Sequence, residues 1–325
     1  MARCSPRTML GTVHRFSPNA VRKEYPNFCR DPLRTIPSAW RGRRASMRTF
    51  MFRIVTVSAL ASVLVGVVGC SANPGDSDPP PTAEDISYLG TGTFDGCSGS
   101  LVIDDGMSKD DKALFLTNGH CSLDDSVLGR ANIDKPLQES VNLSDAEGAG
   151  IAAVQIEKRV YWTMTETDVA LLQLSKTYGE IDADFGIRGR MLDPEPARVG
   201  QEIEVVAAAV GTSVQCSVAR VVPTVMEVGL QTRDVMSYSP ECSSQPGASG
   251  AAVIDRKTNK IVGINNSHNT SGGQCLIDEP CEVDRDGKIT VVAGASYAPP
   301  VAALATCLKA GKLDLAARDC LLPKP

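Results

Sequence analysis

The sequence predicts an all-β protein built as a duplicated barrel. From about residue 86 onward, short apolar runs alternate with turn residues, as in VIDRKTNKIVGI and EVDRDGKITVV. Many short strands at this spacing are typical of an antiparallel sandwich or barrel. The segment GCSGSLVID (residues 96–104) recurs as GASGAAVID (residues 247–255), with six of nine positions identical. Two β units of similar size that share this glycine-serine segment favour a duplicated barrel.

A polar break containing two prolines, LDPEPARVG at residues 192–200, divides the strands into two sets. We place a first barrel at about residues 85–191 and a second at about 200–298, within one domain of residues 85–325. Helical periodicity is clear only near the end, where PVAALATCLKAGK predicts a helix over about residues 299–312.

Charge is distributed unevenly along the chain. Residues 1–69 hold 12 Lys and Arg but only 2 Asp and Glu, which leaves 21 basic and 36 acidic residues in the remainder, a net charge of −15. So acidic a mature chain argues against nucleic acid, or an anionic membrane surface, as a partner.

The basic N-terminal region contains an export signal. Residues 47–53 are short and basic, and residues 54–68 (IVTVSALASVLVGVV) form an uncharged apolar run. The run is shorter than the roughly 20 residues of a membrane span. It ends in VVGC, which resembles a bacterial lipobox whose cysteine, Cys70, becomes the lipidated first residue of the mature protein. A plain signal peptide with a chance cysteine is the alternative.

These features predict a signal peptide at residues 47–69 and an exported protein that is either secreted or anchored to the (outer) membrane through lipid alone. Residues 1–46 are interpreted as a disordered leader or a misassigned start. Residues 71–84, rich in proline, are interpreted as a flexible linker.

Eleven cysteines are present. Two lie in the leader and Cys70 lies at the cleavage site, which leaves eight. An even number in an exported chain indicates four disulfides in an oxidising compartment. No C-x-x-C pair occurs and the chain has three histidines. We therefore predict no metal site and no cofactor.

The two serines of the repeat are candidate nucleophiles. A nucleophilic serine needs a base, a group that orients the base, and donors for the developing oxyanion. Outside the leader the candidate bases are His120 and His268. Neither copy of the repeat has the G-x-S-x-G spacing of a nucleophile elbow, which disfavours an esterase. The order His120, Asp168, Ser249 matches the His–Asp–Ser arrangement best.

Three segments, CSGSLVI…LFLTNGHC, TDVALLQL and QPGASGAAV, resemble the catalytic segments of the chymotrypsin-like (trypsin-fold) serine peptidases over about residues 90–297. The resemblance implies two six-stranded antiparallel β-barrels with a C-terminal helix. It also implies a serine-type endopeptidase that forms an acyl-enzyme, with Ser249 as nucleophile, His120 as base and Asp168 orienting the base. The backbone N–H groups of Gly247 and Ser249 would form the oxyanion hole. We expect a monomer that acts on protein or peptide substrates.

In that family the cysteine before the first serine pairs with the one after the histidine. The resemblance therefore implies a Cys97–Cys121 disulfide and makes Ser98 a structural residue. Cys307–Cys320 would join the helix to the tail. Two sets of pairs stay open for the other four cysteines: Cys242–Cys275 with Cys216–Cys281, or Cys216–Cys242 with Cys275–Cys281.

The sequence departs from the zymogen-activated peptidases at Ala248. Those enzymes have an aspartate there that pairs with a freed N-terminus, so we expect no such activation and a closer likeness to bacterial members. The alternative function is a catalytically inactive trypsin-fold binding or adhesion lipoprotein.

The resemblance puts the floor of the substrate pocket at Ser243, with Ser244, His268 and Ser296 nearby. No carboxylate stands on the floor, which argues against a preference for Lys or Arg. The polar set suits an acidic or small residue, although His268 also fits an exposed loop.

Overall fold

The computed structural model describes residues 86–122 and 130–325. The predicted leader, signal peptide, lipidation site at Cys70 and linker all lie outside these residues. Both halves of the described chain belong to a single compact unit.

The first barrel is a closed ring of six antiparallel strands. The ring runs β1-β5-β6-β7-β3-β2 and closes where β2 pairs with β1; β4 pairs with β6 outside the ring, and β8 lies parallel to β2. In chain order the strands are β1 (Thr91–Phe94), β2 (Cys97–Ile103), β3 (Lys112–Thr117), β4 (Asn132–Pro136), β5 (Ser140–Ser144), β6 (Gly150–Thr163), β7 (Val169–Thr177) and β8 (Arg190–Met191).

The second sheet follows a path of six strands, β13-β12-β9-β10-β11-β17, with β14 paired to β17. The short strand β15 pairs with β10, and β16 pairs with β15. An isolated bridge joins Gly263 of β13 to Pro300, just beyond β17, and so brings the two ends of the path together. The strands are β9 (Glu202–Ala207), β10 (Thr212–Glu227), β11 (Leu230–Tyr238), β12 (Ala252–Asp255), β13 (Ile261–Ile264), β14 (Ser267–His268), β15 (Cys281–Val283), β16 (Ile289–Thr290) and β17 (Ser296–Ala298). The predicted chymotrypsin-like double-barrel fold is confirmed.

Two long strands, β6 and β10, change their surroundings along their length. In β6, buried and exposed side chains alternate over the first half, and the end of the strand is buried on both sides, with Tyr161 and Trp162 fully covered. Strand β10 pairs with β9 through its first half and with β11 through its second. Such a strand turns a corner of the barrel and keeps its backbone groups paired with a different neighbour on each side of the corner.

The core is divided into three main parts. One apolar cluster fills the first barrel around Phe115 and Trp162, and another fills the second around Val253 and Met236. A third cluster lies between the barrels and includes side chains from both, such as Leu171 and Ile254, together with C-terminal residues. The two barrels are therefore packed against each other over a shared apolar surface.

Two α-helices are present in the described residues. The first, α1 (Tyr178–Phe185), escaped the sequence analysis although its start carries a capping box: Thr177 accepts from the Glu180 N–H, and the Glu180 carboxylate accepts from the Thr177 N–H. Gly186 ends the helix in the left-handed conformation.

The C-terminal helix is shorter than the sequence predicts. Helix α2 spans Ala302–Cys307 rather than about residues 299–312. Positive φ angles at Ala310 (48°) and Gly311 (75°) then turn the chain into a small hairpin of β18 (Leu308–Lys309) and β19 (Lys312–Leu313). A two-residue turn with both φ angles positive suits a hairpin and interrupts a helix.

Four disulfides join the cysteines of the described chain: Cys97–Cys121, Cys216–Cys242, Cys275–Cys281 and Cys307–Cys320. Of the two sets of pairs left open by the sequence, the structure has the second. Cys216 lies on β10, and Cys242 follows β11, which is antiparallel to β10. Cys275 and Cys281 have a sequence separation of 6 and close a short loop. Four disulfides are typical of extracellular or periplasmic proteins.

Among residues 86–122 and 130–325, no helix has both the length and the hydropathy that a membrane crossing requires.

Candidate active site

His120 begins a short 3₁₀ turn directly after β3. The turn requires glycine at position 119, because a Cβ there would lie 2.1 Å from the Thr163 carbonyl oxygen and 2.9 Å from Asp168 Oδ1. This close approach lets the His120 backbone N–H donate to Asp168 Oδ1 at 3.0 Å. The Cys97–Cys121 disulfide fixes the next residue of the turn to β2.

The His120 ring and the Asp168 carboxylate form a direct pair. Nδ1 of His120 lies 2.7 Å from Asp168 Oδ2. The Asp168 side chain is 8% exposed and that of His120 is 30% exposed, so the carboxylate is covered while the ring reaches the surface. A ring held by carboxylate at Nδ1 presents its Nε2 as the free base, which is the orientation that a nucleophile needs.

Asp168 precedes β7 and is anchored from both barrels. Its carbonyl accepts from Asn118 Nδ2 at 3.0 Å. Two residues earlier, the Glu166 carbonyl accepts from the Arg233 N–H of β11 at 2.9 Å, and the two side chains form an ion pair at 3.0 Å. The segment that carries the carboxylate is therefore held against the second barrel.

Asn266 links the Asp168 carboxylate to Ser249. Its Nδ2 donates to Asp168 Oδ2 at 2.7 Å, and its carbonyl accepts from Ser249 Oγ at 3.3 Å. Between the two described residues themselves, Ser249 and His120, the structure has no hydrogen bond. Sequence analysis missed Asn266, although it lies two residues before His268 in the segment INNSH.

Ser249 lies between two glycines with positive φ, Gly247 (90°) and Gly250 (81°). A Cβ at Gly250 would meet the Ser98 carbonyl oxygen at 2.1 Å. The Ala248 N–H donates to the Gln245 carbonyl at 2.9 Å. A four-residue turn with positive φ at its third residue is type II, which explains the glycine at 247.

Three successive carbonyls of this turn accept hydrogen bonds from outside it. The Gly247 oxygen accepts from Ser98 Oγ at 3.0 Å, the Ala248 oxygen from Asn265 Nδ2 at 3.0 Å, and the Ser249 oxygen from the Ser98 N–H at 2.8 Å. The C=O and N–H of a trans peptide point in opposite directions. The Ser249 N–H, which shares a peptide with the Ala248 carbonyl, therefore points away from Asn265.

Ala248 itself is buried, with a relative exposure of 3%, and packs in the core of the second barrel. A methyl group at this position cannot form the ion pair of the zymogen-activated enzymes. The hydrogen bonds to the carbonyls of Gly247, Ala248 and Ser249 hold the turn instead.

Acidic neighbours raise the pKa of His120. Burial disfavours the charged ring and lowers its pKa, but the charge of Asp168, its hydrogen bond and the charges of Glu227 and Asp278 outweigh burial, so the pKa lies above its ordinary value. Glu227 ends β10, and its Oε1 accepts from the Asp278 N–H at 2.7 Å. Burial and the Asp278 charge raise the pKa of Glu227 in turn.

The pKa of Asp168 is lowered. Burial alone would raise it, but the nearby His120, the hydrogen bonds from its ring and backbone, and the amide of Asn266 favour the carboxylate. The pair therefore combines an ionised acid with a ring of raised basicity.

Three of the four predicted pocket residues are joined by hydrogen bonds. Ser296 Oγ accepts from the Ser244 N–H at 2.8 Å and lies 3.0 Å from His268 Nδ1, while Asn265 Nδ2 donates to Ser244 Oγ at 2.7 Å. Ser243 is exposed and joins none of these contacts among the described residues. His268 is half-buried rather than a free loop residue. The Oδ1 of Asn265 is buried and has no partner among the described residues.

Cys97, His120 and Cys121 place ligand-type atoms within 4.8 Å of one another. Both sulfurs are in the disulfide, so thiolates are not available there to bind a metal.

The geometry agrees with the comparison against known families. The family described as trypsin-like peptidase domain matches residues 90–264, more than half of the chain. The chain belongs to this family. The search of curated protein sequences found no match to the chain.

Three solved structures that resemble this trypsin-like peptidase domain are distant from it in sequence. The HtrA-type protease AlgW with decapeptide has 19% identity and a TM-score of 0.38; the match covers 63% of this chain and 47% of that one. The MamO protease domain from Magnetospirillum magneticum (apo form) has 16% identity and a TM-score of 0.39, covering 66% and 88%. Nocardiopsis protease (NAPase) has 15% identity and a TM-score of 0.36, covering 67% and 92%. The chain thus spans about half the length of the AlgW structure that it matches.

Proposed function

We propose that the protein is a serine endopeptidase that hydrolyses peptide bonds through His120, Asp168 and Ser249. The observation that carries the proposal is the contact of His120 Nδ1 with the buried carboxylate of Asp168 at 2.7 Å, which Asn266 links to the hydroxyl of Ser249.

In this proposal Ser249 Oγ attacks the scissile carbonyl while Nε2 of His120 takes its proton. The oxygen of the tetrahedral intermediate accepts from the backbone N–H groups of Gly247 and Ser249. The protonated ring then donates to the leaving amine, which yields an acyl-enzyme, and water attacks the acyl group by the reverse of these steps. Asp168 stays ionised and stabilises the imidazolium. No cofactor takes part.

The contact that Ser249 makes with the Asn266 carbonyl fits a resting state. Catalytic hydrogen bonds are often long or poorly aligned before substrate binds. The proposed mechanism requires the hydroxyl to turn about χ1, away from Asn266 and toward the His120 ring.

The polar chain of Ser244, Ser296 and His268 supports a substrate pocket beside the nucleophile. Hydroxyl groups and a ring nitrogen can donate to the carboxylate of an acidic side chain or to a small polar one. Cleavage of a peptide library should show Glu, Asp or a small residue before the scissile bond; dominant cleavage after Lys or Arg would contradict this pocket assignment.

An activity-based probe tests the function. A fluorophosphonate should label the purified protein, and Ser249→Ala should abolish the labelling. Ser100→Ala is the matched control, because Ser100 is a buried serine in the first copy of the repeat. If no condition gives labelling that depends on Ser249, the protein is an inactive binding module instead.

We also propose that the protein is exported and tethered through a lipid on Cys70. The four disulfides of the peptidase domain support export. Metabolic incorporation of an alkynyl fatty acid that Cys70→Ala removes would support the anchor; equal incorporation in both proteins would contradict it.

A further inference from the structure

The first copy of the repeated G-x-S-G segment has no part in the chemistry above, yet its serine lies against the second copy. Ser98 is fully buried on β2. Its N–H donates to the Ser249 carbonyl at 2.8 Å, and its Oγ lies 3.0 Å from the Gly247 carbonyl oxygen. One residue of the first barrel thus contacts the 247–248 and 249–250 peptides, which lie on either side of the peptide that carries the Ser249 N–H.

The hydrogen-bond direction at Ser98 Oγ is determined by its neighbours. The Ala209 N–H can only donate, and it reaches Ser98 Oγ at 3.0 Å. A hydroxyl has one hydrogen and two lone pairs. Because the Ala209 contact uses a lone pair, the hydroxyl hydrogen is available for the Gly247 carbonyl. The hydroxyl therefore bridges two segments of the second barrel that would otherwise be joined at this point only by packing.

Ser98 is also connected to the proposed base, His120, by a short covalent path through a disulfide. Its neighbour Cys97 is bonded to Cys121, which follows His120. Movement of β2 would therefore shift two turns together: the 3₁₀ turn that begins at His120, and the turn of residues 245–248 before Ser249 (the nucleophile turn). A glycine at position 98 would keep the backbone bond to Ser249 but lose the bond to Gly247.

The chain needs such a contact because Ala248 cannot make an ion pair. The nucleophile turn has Pro246 and Gly247 at its centre, and the Gly247 N–H is useful only while the turn keeps its place beside Ser249 Oγ. Removal of the bond to the Gly247 carbonyl frees one of the three carbonyls that hold the turn.

We propose that Ser98 is a positioning residue whose hydroxyl holds the turn of residues 245–248, and with it the Gly247 N–H, in its active place. The zymogen-activated peptidases use an ion pair for this task. This inference rests on the proposed function. It assigns Ser98 no contact with substrate or with the reacting atoms.

The test compares Ser98→Ala and Ser98→Gly with Ser100→Ala. Ser100 lies two residues further along the same strand, is equally buried, and its Oγ has no partner among the described residues. The concentration of active enzyme is set by titration with the fluorophosphonate. We expect kcat to fall about tenfold in both Ser98 variants, a fraction of the roughly 10²- to 10³-fold cost of a whole oxyanion donor. KM should change less than twofold, and Ser100→Ala should match the wild type.

A transition-state analogue separates positioning from loss of stability. The inhibition constant of a peptide boronic acid should rise in step with the loss of kcat/KM, while that of an uncharged, non-covalent peptide should not change. Amide hydrogen exchange at Ala209 should also quicken in Ser98→Ala and not in Ser100→Ala, a readout that needs no turnover.

The possible results are distinct. If the wild type is active and the Ser98 variants match Ser100→Ala in kcat and boronate affinity, the positioning role is wrong and the proposed function stands. A lower Tm with unchanged kcat per titrated site also overturns it, because Ser98 would then act on stability alone. If the wild type shows no turnover that depends on Ser249, the proposed function and this inference fall together.

Discussion

The two copies of the G-x-S-G segment share their sequence and differ in backbone. In the first copy Ser98 is a strand residue, since β2 begins at Cys97, and Gly99 packs where a Cβ would meet the Phe115 ring at 2.3 Å. In the second copy the strand β12 begins only at Ala252, so Ser249 remains in a turn. The same G-x-S-G pattern thus gives a buried structural serine in one barrel and a partly exposed serine in the other.

What separates the copies is the point at which strand pairing starts. Residues 97–100 of the first copy pair with β1 across a tight turn that contains Asp95 and Gly96. The corresponding residues of the second copy pair with no strand among the described residues; their carbonyls are instead held by Ser98 and Asn265. The motif alone therefore does not distinguish the proposed nucleophile from the structural serine; the pairing of the flanking backbone does.

The largest contrast is expected from the first glycine of each copy. Gly96 and Gly247 both have positive φ (79° and 90°), so alanine should cost about 1 kcal/mol of strain at either site. Gly247→Ala would also place its Cβ 2.8 Å from Val210 Cγ1. Because this glycine carries a proposed oxyanion donor, we expect kcat to fall about 100-fold, against less than twofold for Gly96→Ala.

Steady-state kinetics normalised to titrated active sites, with Tm measured in parallel, give the comparison. Equal losses of kcat in the two variants would show that the turns do not differ in function.

An intermediate effect is expected from the last residue of each copy, now on stability. Asp255 is buried and accepts from the N–H groups of Lys257 and Thr258 and from Gln201 Nε2. Burial opposes its ionisation, but the amide of Gln201 and these N–H groups prevail and lower its pKa. Burial raises the pKa of Asp104, the corresponding residue.

A lowered carboxyl pKa stabilises the fold above the pKa of the unfolded state, and the gain is lost as pH falls through the folded value. Asp255→Asn should therefore cost about 2 kcal/mol at pH 7 and progressively less below the ordinary Asp pKa of about 4. For Asp104, whose raised pKa means that ionisation weakens the fold, Asn should cost little at pH 7. Urea unfolding at pH 7 and pH 3.5 measures both; a larger loss for Asp104→Asn would reverse the assignment.

The smallest effect concerns the surroundings of the base. The charge of Glu227 helps to raise the pKa of His120, which must be neutral to accept a proton. Glu227→Gln should lower that pKa and move the acid limb of kcat/KM to lower pH by less than one unit. Activity near pH 6 should then rise about two- to threefold, and less at high salt.

Glu147→Gln, in an exposed turn between β5 and β6, is the control and should leave the limb unchanged. A shift of the Glu227→Gln limb to higher pH would contradict the electrostatic account.

Short apolar runs and turn residues are local signals, so they sufficed to predict an antiparallel β fold. The repeated G-x-S-G segment and the family resemblance supplied the two barrels. The sequence did not yield α1, although Thr177 and Glu180 form a recognisable capping box, because the helix is short and follows a strand without a break. It overextended α2, since the turn at Ala310 and Gly311 follows residues that fit the helical period.

The same division applies to the site. His120, Asp168 and Ser249 occur in short motifs whose chain order could be compared. Asn265 and Asn266 lie outside such motifs. Their role depends on hydrogen bonds to a carboxylate and to carbonyls that only the fold brings near them. The partners of Cys216 and Cys242 were undecided for the same reason: both sets of pairs fit the spacing, and only the register of β10 and β11 chooses between them.

The activity of the proposed protease should depend on formation of the Cys97–Cys121 disulfide. Glutathione and thioredoxin keep thiols reduced in the cytosol, so a newly made chain there lacks the link that ties the histidine turn to the strand behind the nucleophile. We therefore expect the proposed exported enzyme to reach full activity only in an oxidising compartment, which would spare the proteins of the producing cell's cytosol.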